Sequence, residues 1–303
     1  MKRSESYIIS TGMKYLLIAL PFMIFTFMFS YVPLFGWLIA FTDYTIGTKI
    51  TDLHFTGFGA FVDMWKQRAD IMRVLTNSLA MSGLGLLTSP LAVAFAILLN
   101  EIKSSKLKRF IQTTTTFPNF ISWIVVYGFA FSIFSNNGLL NTILGQLGLP
   151  QSSTGILGDA SHVWLFQLFL QIWKGLGWGA IIYLAAIAGI DQELYEAAEI
   201  DGANKFGCIR HITIPGLMPT YFVLLILAIS NILNNGFDQY FVFYNPLVAN
   251  RIEVLDYYIY KLAFRVNEMP FSIAVGMIKS LISISLIFIA NQASKKVRGA
   301  SIF

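Results

Sequence analysis

Long runs of apolar residues separated by short polar segments make up most of this chain. Residues 15–42 contain no charged side chain, and a helix of that length rises roughly 40 Å, which exceeds the ~30 Å hydrocarbon core of a bilayer. Five later runs approach the ~20 residues that a transmembrane helix needs. The predicted spans are residues 15–42, 74–100, 110–134, 163–189, 219–235 and 270–293. The pattern therefore predicts an all-α membrane protein with six transmembrane helices, in a single domain over residues 1–303.

Composition excludes a soluble protein of this size. The chain has 303 residues, of which 56% are hydrophobic and 12% charged, and its mean hydropathy is +0.65; a soluble domain carries about twice that share of charge. The basic residues flank the spans and do not gather with aromatic residues in a soluble patch, so lipid and not nucleic acid is the expected contact. The single cysteine, Cys208, excludes a disulfide within the chain.

Lysine and arginine predict the orientation of the spans. Six spans place both termini on one side of the membrane. With the N-terminus inside, the predicted outer loops are at about 43–72, 135–162 and 236–269, and the inner segments carry twelve Lys and Arg residues while the outer segments carry seven. The excess predicts an N-in/C-in topology, and the first apolar run is longer than that of a cleaved signal peptide. Residues 190–218 then lie in the cytoplasm between spans four and five.

The cytoplasmic segment has the pattern of two short helices joined by a turn. Asp191 suits the N-cap of a helix that runs to about residue 201. Gly202 offers the left-handed conformation that ends such a helix. A second helix over residues 203–211 is predicted to stop before Pro215, which cannot continue the hydrogen-bond ladder. The segment is therefore predicted to form a helix-turn-helix elbow that projects from the membrane.

This segment, EAAEIDGANKFGCIRHITIP over residues 196–215, resembles the cytoplasmic loop of permease subunits of ATP-binding-cassette importers. The likeness rests on the Glu-Ala-Ala triplet, the glycine that follows it and the final Ile-Thr-Ile-Pro, with Ile214 where leucine is usual. The resemblance implies a type I importer permease fold and a loop that receives the movement of an ATPase subunit. We call residues 190–218 the coupling loop. The residues expected to couple to the ATPase are Glu196, Ala197, Ala198, Gly202, Ile212 and Pro215, and Glu196 is expected to meet a basic residue there.

The resemblance covers nearly the whole chain. The stretches at 31–44 (YVPLFGWLIAFTDY) and 172–198 and the C-terminal span are similar to permeases of carbohydrate uptake, in the branch that imports oligosaccharides or polysaccharide fragments. The resemblance implies a heterodimer with a second permease, two ATPase subunits and an extracytoplasmic solute-binding protein in the bacterial cytoplasmic (inner) membrane. Gly202 and Gly207 have the spacing of a nucleotide-binding loop, but no Lys-Ser/Thr pair follows Gly207. ATP and Mg²⁺ are therefore expected on the ATPase subunits, with no cofactor, metal or catalytic residue in this chain.

Polar residues inside the spans are candidates for the solute path. Asn231, Asn234 and Asn235 fall in predicted span five, where their spacing of three and four gives them one shared helix face. Amides and aromatic rings suit a sugar path, and the resemblance to maltose-type permeases implies that Asn234, Asn235 and Trp178 line it. The alternative is that the amides hold helices together.

Two lysines, Lys174 and Lys279, lie within spans four and six with no acidic residue in the same span. A cation at such depth is costly and suggests a function. Lys174 lies near enough to an end to extend its ammonium group towards water. A carboxylate of a uronic-acid oligosaccharide could neutralise either lysine, and an acidic residue of the partner permease is the competing interpretation.

Two alternative functions remain at this level. An importer of phosphate, polyamine or amino acid would share the coupling loop but not the 31–44 stretch. A membrane enzyme acting on lipid-linked sugars would need paired acids at the interface, and Asp43, Asp52 and Asp63 lack the spacing of metal ligands.

Overall fold

The structure is a computed structural model that describes residues 2–298. Within these residues the secondary structure is helical, apart from one isolated β-bridge between Thr42 and Phe55. Six helical segments in this part of the chain are long and apolar enough to cross a membrane. They are Gly12–Phe41, Arg68–Asn100, Trp123–Gln146, Val163–Ala188, Lys205–Ser230 and Met269–Gln292. The prediction of six transmembrane helices is confirmed.

The described residues form two compact units that alternate along the chain. The first holds the chain up to Gln67 together with Ile259–Ile278, and the second holds Arg68–Tyr258 and the chain from Lys279. Both the coupling loop and the candidate solute-path residues belong to the second unit. The assignment of residues 1–303 to one membrane domain stays a prediction.

The first unit is built around a long N-terminal helix. Helix α1 (Lys2–Thr26) continues through a π-turn and a 3₁₀ segment that ends at Phe41. Helix α2 (Gly59–Lys66) packs on this 3₁₀ segment, and the small core consists of Ala40, Ala60 and Ala274. The apolar side chains from Gly12 onward on α1 are exposed, as expected of a helix that faces lipid or another membrane protein.

The second unit contains most of the helices, including those that carry the coupling loop and the candidate solute-path residues. Its helices before the coupling loop are α3 (Arg68–Thr88), α4 (Pro90–Asn100), α5 (Ser105–Thr116), α6 (Trp123–Phe134), α7 (Leu139–Gln146) and α8 (Val163–Ala188). The later helices are α9 (Gln192–Ile200), α10 (Lys205–Cys208), α11 (Ile214–Ser230), α12 (Asp238–Phe243) and α13 (Ala249–Ile252). Helices α14 (Leu255–Phe264) and α15 (Met269–Arg298) each contribute to both units.

Helix α8 is the central element of the second unit and matches the predicted span at 163–189. It packs against α3, α4, α5 and α11. The core there includes Ala96 of α4, Ala180 of α8 and Leu217 of α11. A Cβ at Gly177 would lie 2.3 Å from the carbonyl oxygen of Thr115. Glycine at this position therefore lets α8 touch the main chain of α5, the close approach that small residues permit in membrane helices.

Two predicted spans had the wrong bounds. A single helix was expected over residues 110–134, but a 3₁₀ turn at Phe117–Phe120 separates α5 from α6, and the apolar candidate span is Trp123–Gln146. Pro118 lies within that turn; it has no N–H to donate, and its ring opposes a preceding helical turn. The span expected at 219–235 is α11, which begins before Pro219 and ends at Ser230.

The expectation that Pro215 ends the second coupling helix was also wrong. Helix α10 passes through a π-turn, Ile209–Thr213, directly into α11. The Ile214 N–H bonds to the Ile209 carbonyl, and Pro215 occupies the first turn of α11, where a missing N–H costs little. The wider π-turn accommodates the proline without a break in the helix.

Candidate functional site

The first half of the coupling loop is a helix with both ends capped. The Asp191 carboxylate accepts a 3.0 Å hydrogen bond from the Glu193 N–H at the start of α9. At the other end, Gly202 has a φ of +80°. Its N–H bonds to the Glu199 carbonyl at 3.1 Å, and the Ala203 N–H bonds to the Ala198 carbonyl at 2.9 Å. These are the two hydrogen bonds of a Schellman cap, so the predicted helix end at Gly202 is confirmed.

The second half of the loop is tied to the membrane part of the unit. The Asn204 side chain caps α10 by accepting the Gly207 N–H at 2.9 Å. The Tyr195 hydroxyl lies 2.9 Å from that of buried Thr213. Lys205 donates to Glu101, just after α4, with a nitrogen-to-oxygen distance of 3.0 Å. These links hold the elbow in one orientation relative to the helices beneath it.

The tip of the elbow presents apolar side chains. Ile200 is 88% exposed, and Leu194 and Phe206 are also exposed. Large apolar residues concentrated on a short loop outside the membrane indicate a surface that binds another protein. These three residues were not among the predicted coupling residues, although the position of Ile200 and Phe206 close to the Gly202 turn would have indicated them.

The predicted coupling residues differ in their exposure. Glu196, Ala197 and Gly202 are exposed and Ala198 is half-buried, all on the first half of the elbow. Ile212 and Pro215 lie at its base, in the π-turn and the first turn of α11. Their role in coupling stays a prediction.

A cleft of about 290 Å³, lined mainly by polar side chains, lies in the second unit. We call it the polar cleft. It is lined by Asn119, Trp123, Gln171, Lys174, Gly175, Asn235, Gly236, Phe237, Asp238 and Gln239. It brings together two of the predicted path residues, Lys174 and Asn235. Trp178 does not line it; its exposed ring stands edge-on to Phe120, 5.7 Å between centroids.

Lys174 binds the main chain where the helix breaks between α5 and α6. Its Nζ donates to the carbonyl oxygens of Pro118, Asn119 and Ile121 at 3.1, 2.7 and 2.6 Å. Carbonyls at a helix end lack partners of their own, and an ammonium group has three hydrogens. All three are accepted within the chain. The ammonium nitrogen also lies 5.5 Å from the Trp123 ring centroid.

Lys279 has an acidic partner in its own chain. It forms a largely buried ion pair with Asp256. The other Asp256 oxygen accepts the Asn235 N–H at 3.0 Å. The expectation that the partner permease or a ligand supplies the opposite charge was therefore wrong for Lys279, because α14, the helix directly before α15, carries the acid.

Asn235 is the residue through which this ion pair reaches the polar cleft. Its Nδ2 donates to the Ser78 carbonyl at 3.0 Å and to the Ser82 hydroxyl at 2.8 Å, both on α3. Its Oδ1 is buried and has no hydrogen-bond partner in the described part of the chain. A buried amide oxygen without a partner is costly, and Asn235 lines the cleft, so this oxygen is a candidate acceptor for a ligand hydroxyl.

The predicted shared helix face of the three asparagines does not exist. Helix α11 ends at Ser230, so the asparagines follow it in a turn. Exposed Asn231 donates to the Leu227 carbonyl at 3.0 Å, and exposed Asn234 donates to the Asn231 side chain at 3.1 Å. The helix ends early because the Asn231 side chain binds a carbonyl of the last turn, a local bond that competes with helical hydrogen bonds.

A row of glutamine amides, missed by the sequence analysis, joins α8 to α12 beside the cleft. Gln171 donates to Gln239 at 3.0 Å and to the Tyr240 hydroxyl at 3.2 Å. Gln239 donates to the Gln167 side chain at 2.7 Å. Burial raises the pKa of Tyr240, which keeps its hydroxyl neutral. In the sequence, Gln167 and Gln171 lie four residues apart within an apolar span, and this spacing could have indicated the row.

Comparison with known proteins identifies the family. The profile of the binding-protein-dependent transport system inner membrane component matches residues 88–299. The chain belongs to this family. It is 37% identical to protein LplB of Bacillus subtilis (strain 168), over 95% of this chain and 90% of that protein. It is 33% identical to YteP of the same strain, a polygalacturonan/rhamnogalacturonan transport system permease protein, over 97% and 92% of the two chains.

Solved structures agree with this membership. A chain of a bacterial ABC transporter involved in import of the acidic polysaccharide alginate superposes with a TM-score of 0.85 at 30% identity, covering 98% of this permease and 99% of that chain. A second structure, of an alginate transporter in complex with an alginate pentasaccharide-bound periplasmic protein, gives 0.87 at 29% identity and the same coverage. The permease therefore has the type I importer fold and is a multi-pass protein of the inner membrane. Its family consists of transport components, not enzymes.

Proposed function

We propose that this chain is one permease subunit of an ATP-binding-cassette importer for oligosaccharides or polysaccharide fragments. It pairs with a second permease, receives solute from an extracytoplasmic binding protein, and is driven by two ATPase subunits that hold ATP and Mg²⁺. The names of YteP and of the alginate transporters support a saccharide substrate.

The observation that carries the proposal is the elbow with its exposed apolar tip. Its caps and its links to α4 and the π-turn fix its shape, so a force applied at the tip moves the base of α11 and does not merely bend a loop. Ile200 and Phe206 remain exposed in the chain alone. Burying such side chains in a partner contributes ~1.5–3 kcal/mol each.

The polar cleft supports the saccharide class of solute. The Asn119 amide offers a donor and an acceptor. Gln171 and Asn235 donate their N–H groups within the chain and offer their oxygens as acceptors. These groups match hydroxyl groups, and Trp123 offers an aromatic surface. An importer of phosphate or another anion would need an unpaired cation that faces the solute, whereas the acidic residue in the lining, Asp238, would repel an anion. Here Lys174 is engaged by three carbonyls and Lys279 by Asp256.

The uronate preference suggested by Lys174 therefore carries a cost. A solute carboxylate would have to draw the ammonium group away from carbonyls that have no other partner at the helix break. We expect the cleft to select hydroxyl patterns, with little discrimination by charge through Lys174.

The docking role is tested with a matched pair of surface variants. Phe206, at the elbow tip, is 69% exposed, and Leu147, which follows α7 in the predicted outer loop, is 67% exposed. Phe206→Ser should weaken association of a co-expressed ATPase about 10- to 150-fold, the equivalent of one buried apolar side chain, and should reduce ATP-dependent uptake. Leu147→Ser should leave both unchanged. Retention of the ATPase by Phe206→Ser at the wild-type level would contradict the proposal.

A further inference from the structure

A second cleft in the second unit, of about 440 Å³, has the side chains of a saccharide site and no assigned role. We call it the outer cleft, because it lies at the end of α6 that precedes the predicted outer loop. Aromatic rings and side-chain amides line it. They are Tyr127, Phe131 and Phe243, and Asn136, Asn137 and Asn245. Its volume falls within the ~300–1,000 Å³ typical of small-molecule sites.

One row of rings on α6 contributes to the lining of both the outer cleft and the polar cleft. Trp123, Tyr127 and Phe131 are spaced four residues apart, so they follow one side of the helix. Trp123 lines the polar cleft, and Tyr127 and Phe131 line the outer one. The row extends over ~12 Å at the helical rise per residue. This length is that of a short oligosaccharide.

Two of the three rings in the outer cleft offer surfaces, because Tyr127 is half-buried and Phe131 is exposed, whereas Phe243 is buried behind them. Phe131 is 53% exposed. The Tyr127 and Phe131 centroids are 5.9 Å apart, and the Tyr127 ring meets Phe243 edge-on at 5.1 Å. Aromatic faces carry partial negative charge that attracts the weakly positive C–H groups of a sugar ring.

The rim of the outer cleft is held in place before any ligand arrives. Buried Asn141 donates to the Asn136 carbonyl at 2.8 Å and to the Ser152 carbonyl at 2.7 Å, and it accepts the Ser152 N–H at 3.1 Å. Asn245 donates to the Leu157 carbonyl at 3.0 Å. A Cβ at Gly155 would lie 2.5 Å from the Ser135 carbonyl carbon, so the two loops touch there. A rim fixed in this way loses little entropy on binding.

We propose that the outer cleft is a second saccharide subsite, which binds one end of an oligosaccharide whose other end occupies the polar cleft. The α6 rings stack on the sugar units between the two ends, and the exposed amides of Asn136 and Asn137 bind hydroxyl groups. The inference rests on the proposed saccharide transport and adds a requirement on chain length. A disaccharide fits the polar cleft alone, whereas a longer chain reaches both sites.

The first test compares two phenylalanines on opposite sides of α6. Phe131→Leu removes the stacking face and keeps apolar bulk; Phe129→Leu is the control, because Phe129 is 60% exposed and lies outside the row. The complete transporter in proteoliposomes is supplied with a disaccharide and a pentasaccharide of galacturonate, and with the neutral glucose-based pair. Phe131→Leu should raise KM for the transported pentasaccharide about 2- to 12-fold, with no change for the disaccharide. Phe129→Leu should change neither.

The outcomes separate the two proposals. Wild-type uptake of a pentasaccharide with no selective effect of Phe131→Leu would overturn the subsite and leave saccharide transport standing. An equal rise in KM for both chain lengths would also overturn it. If the wild-type complex takes up none of the four saccharides, the proposed transport of these sugars fails, and the subsite fails with it.

A second test measures occupancy directly. Ser132 lines the outer cleft and is exposed, and Cys208 is the only native cysteine. In a Cys208→Ser background, Ser132→Cys should react with a membrane-impermeant maleimide, and the pentasaccharide should slow the reaction several-fold, while the disaccharide should not. Equal labelling with and without pentasaccharide, or no labelling because a partner subunit covers the cleft, would overturn the proposal.

Discussion

Replacing Gly202 with valine tests whether the shape of the elbow couples it to the ATPase. Gly202 has a φ of +80°, a conformation that a β-branched residue adopts only under strain. No atom lies within 4 Å of a Cβ built at this position, so the substitution adds backbone strain and no collision. We take the strain as ~1–3 kcal/mol. Relief of that strain opens the two Schellman hydrogen bonds and redirects α10 relative to α9.

The expected result is a 5- to 150-fold weaker binding of the ATPase, which is the same ~1–3 kcal/mol expressed as an equilibrium ratio. Purified ATPase is titrated onto the permease pair in nanodiscs, and ATP-driven uptake is measured in parallel. Gly47→Val is the matched control, because Gly47 has a φ of +100° and equally open surroundings but lies in the predicted outer loop. Gly202→Asn should retain most binding, since asparagine tolerates this conformation. Wild-type affinity in Gly202→Val would refute the coupling role of the elbow.

Three further substitutions test separate parts of the structure. Glu196→Lys should weaken ATPase binding in the same titration more than Glu196→Ala does, because a like charge then faces a basic partner; equal losses would argue against an ionic contact. Lys174→Gln should lower uptake of neutral and uronic oligosaccharides alike, since the three hydrogens of the Lys174 ammonium group are bound to carbonyls. A selective loss of uronate uptake would show instead that the ammonium group faces the solute. Asp256→Asn should destabilise the permease by ~3–5 kcal/mol in a thermal unfolding assay, because Lys279 remains buried without its partner. Adding Lys279→Met to this variant should restore much of the lost stability; no recovery would mean that Asp256 acts mainly through Asn235.

The elbow shows how far local sequence information reaches. The Asp191 cap and the Gly202 turn depend on residues within one or two helical turns, and both were predicted correctly. Pro215 was not, because a proline in a first helical turn and a proline that ends a helix look alike in sequence. Only the π-turn at Ile209–Thr213, which depends on how α11 packs, distinguishes them.

The polar cleft shows what sequence reasoning could not supply. Lys174 and Asn235 were identified as polar residues within an apolar chain, but their partners were not. Lys174 binds carbonyls 53 to 56 positions earlier in the chain, and Asn235 binds Ser82, 153 positions away. Such distances carry no periodic pattern, and the helix break that exposes the carbonyls was itself predicted as continuous helix.

The sequence by itself determined the number of apolar spans, the charge bias across the membrane and the coupling-loop motif, because span length, flanking charge and turn conformation are properties of neighbouring residues. The tertiary structure alone decided that Lys279 pairs with Asp256, that the asparagines follow a helix instead of forming one face of it, and that the amides and rings of α6, α8 and α12 surround two clefts. Buried polar groups must find partners wherever packing brings them, and packing is set by the whole chain.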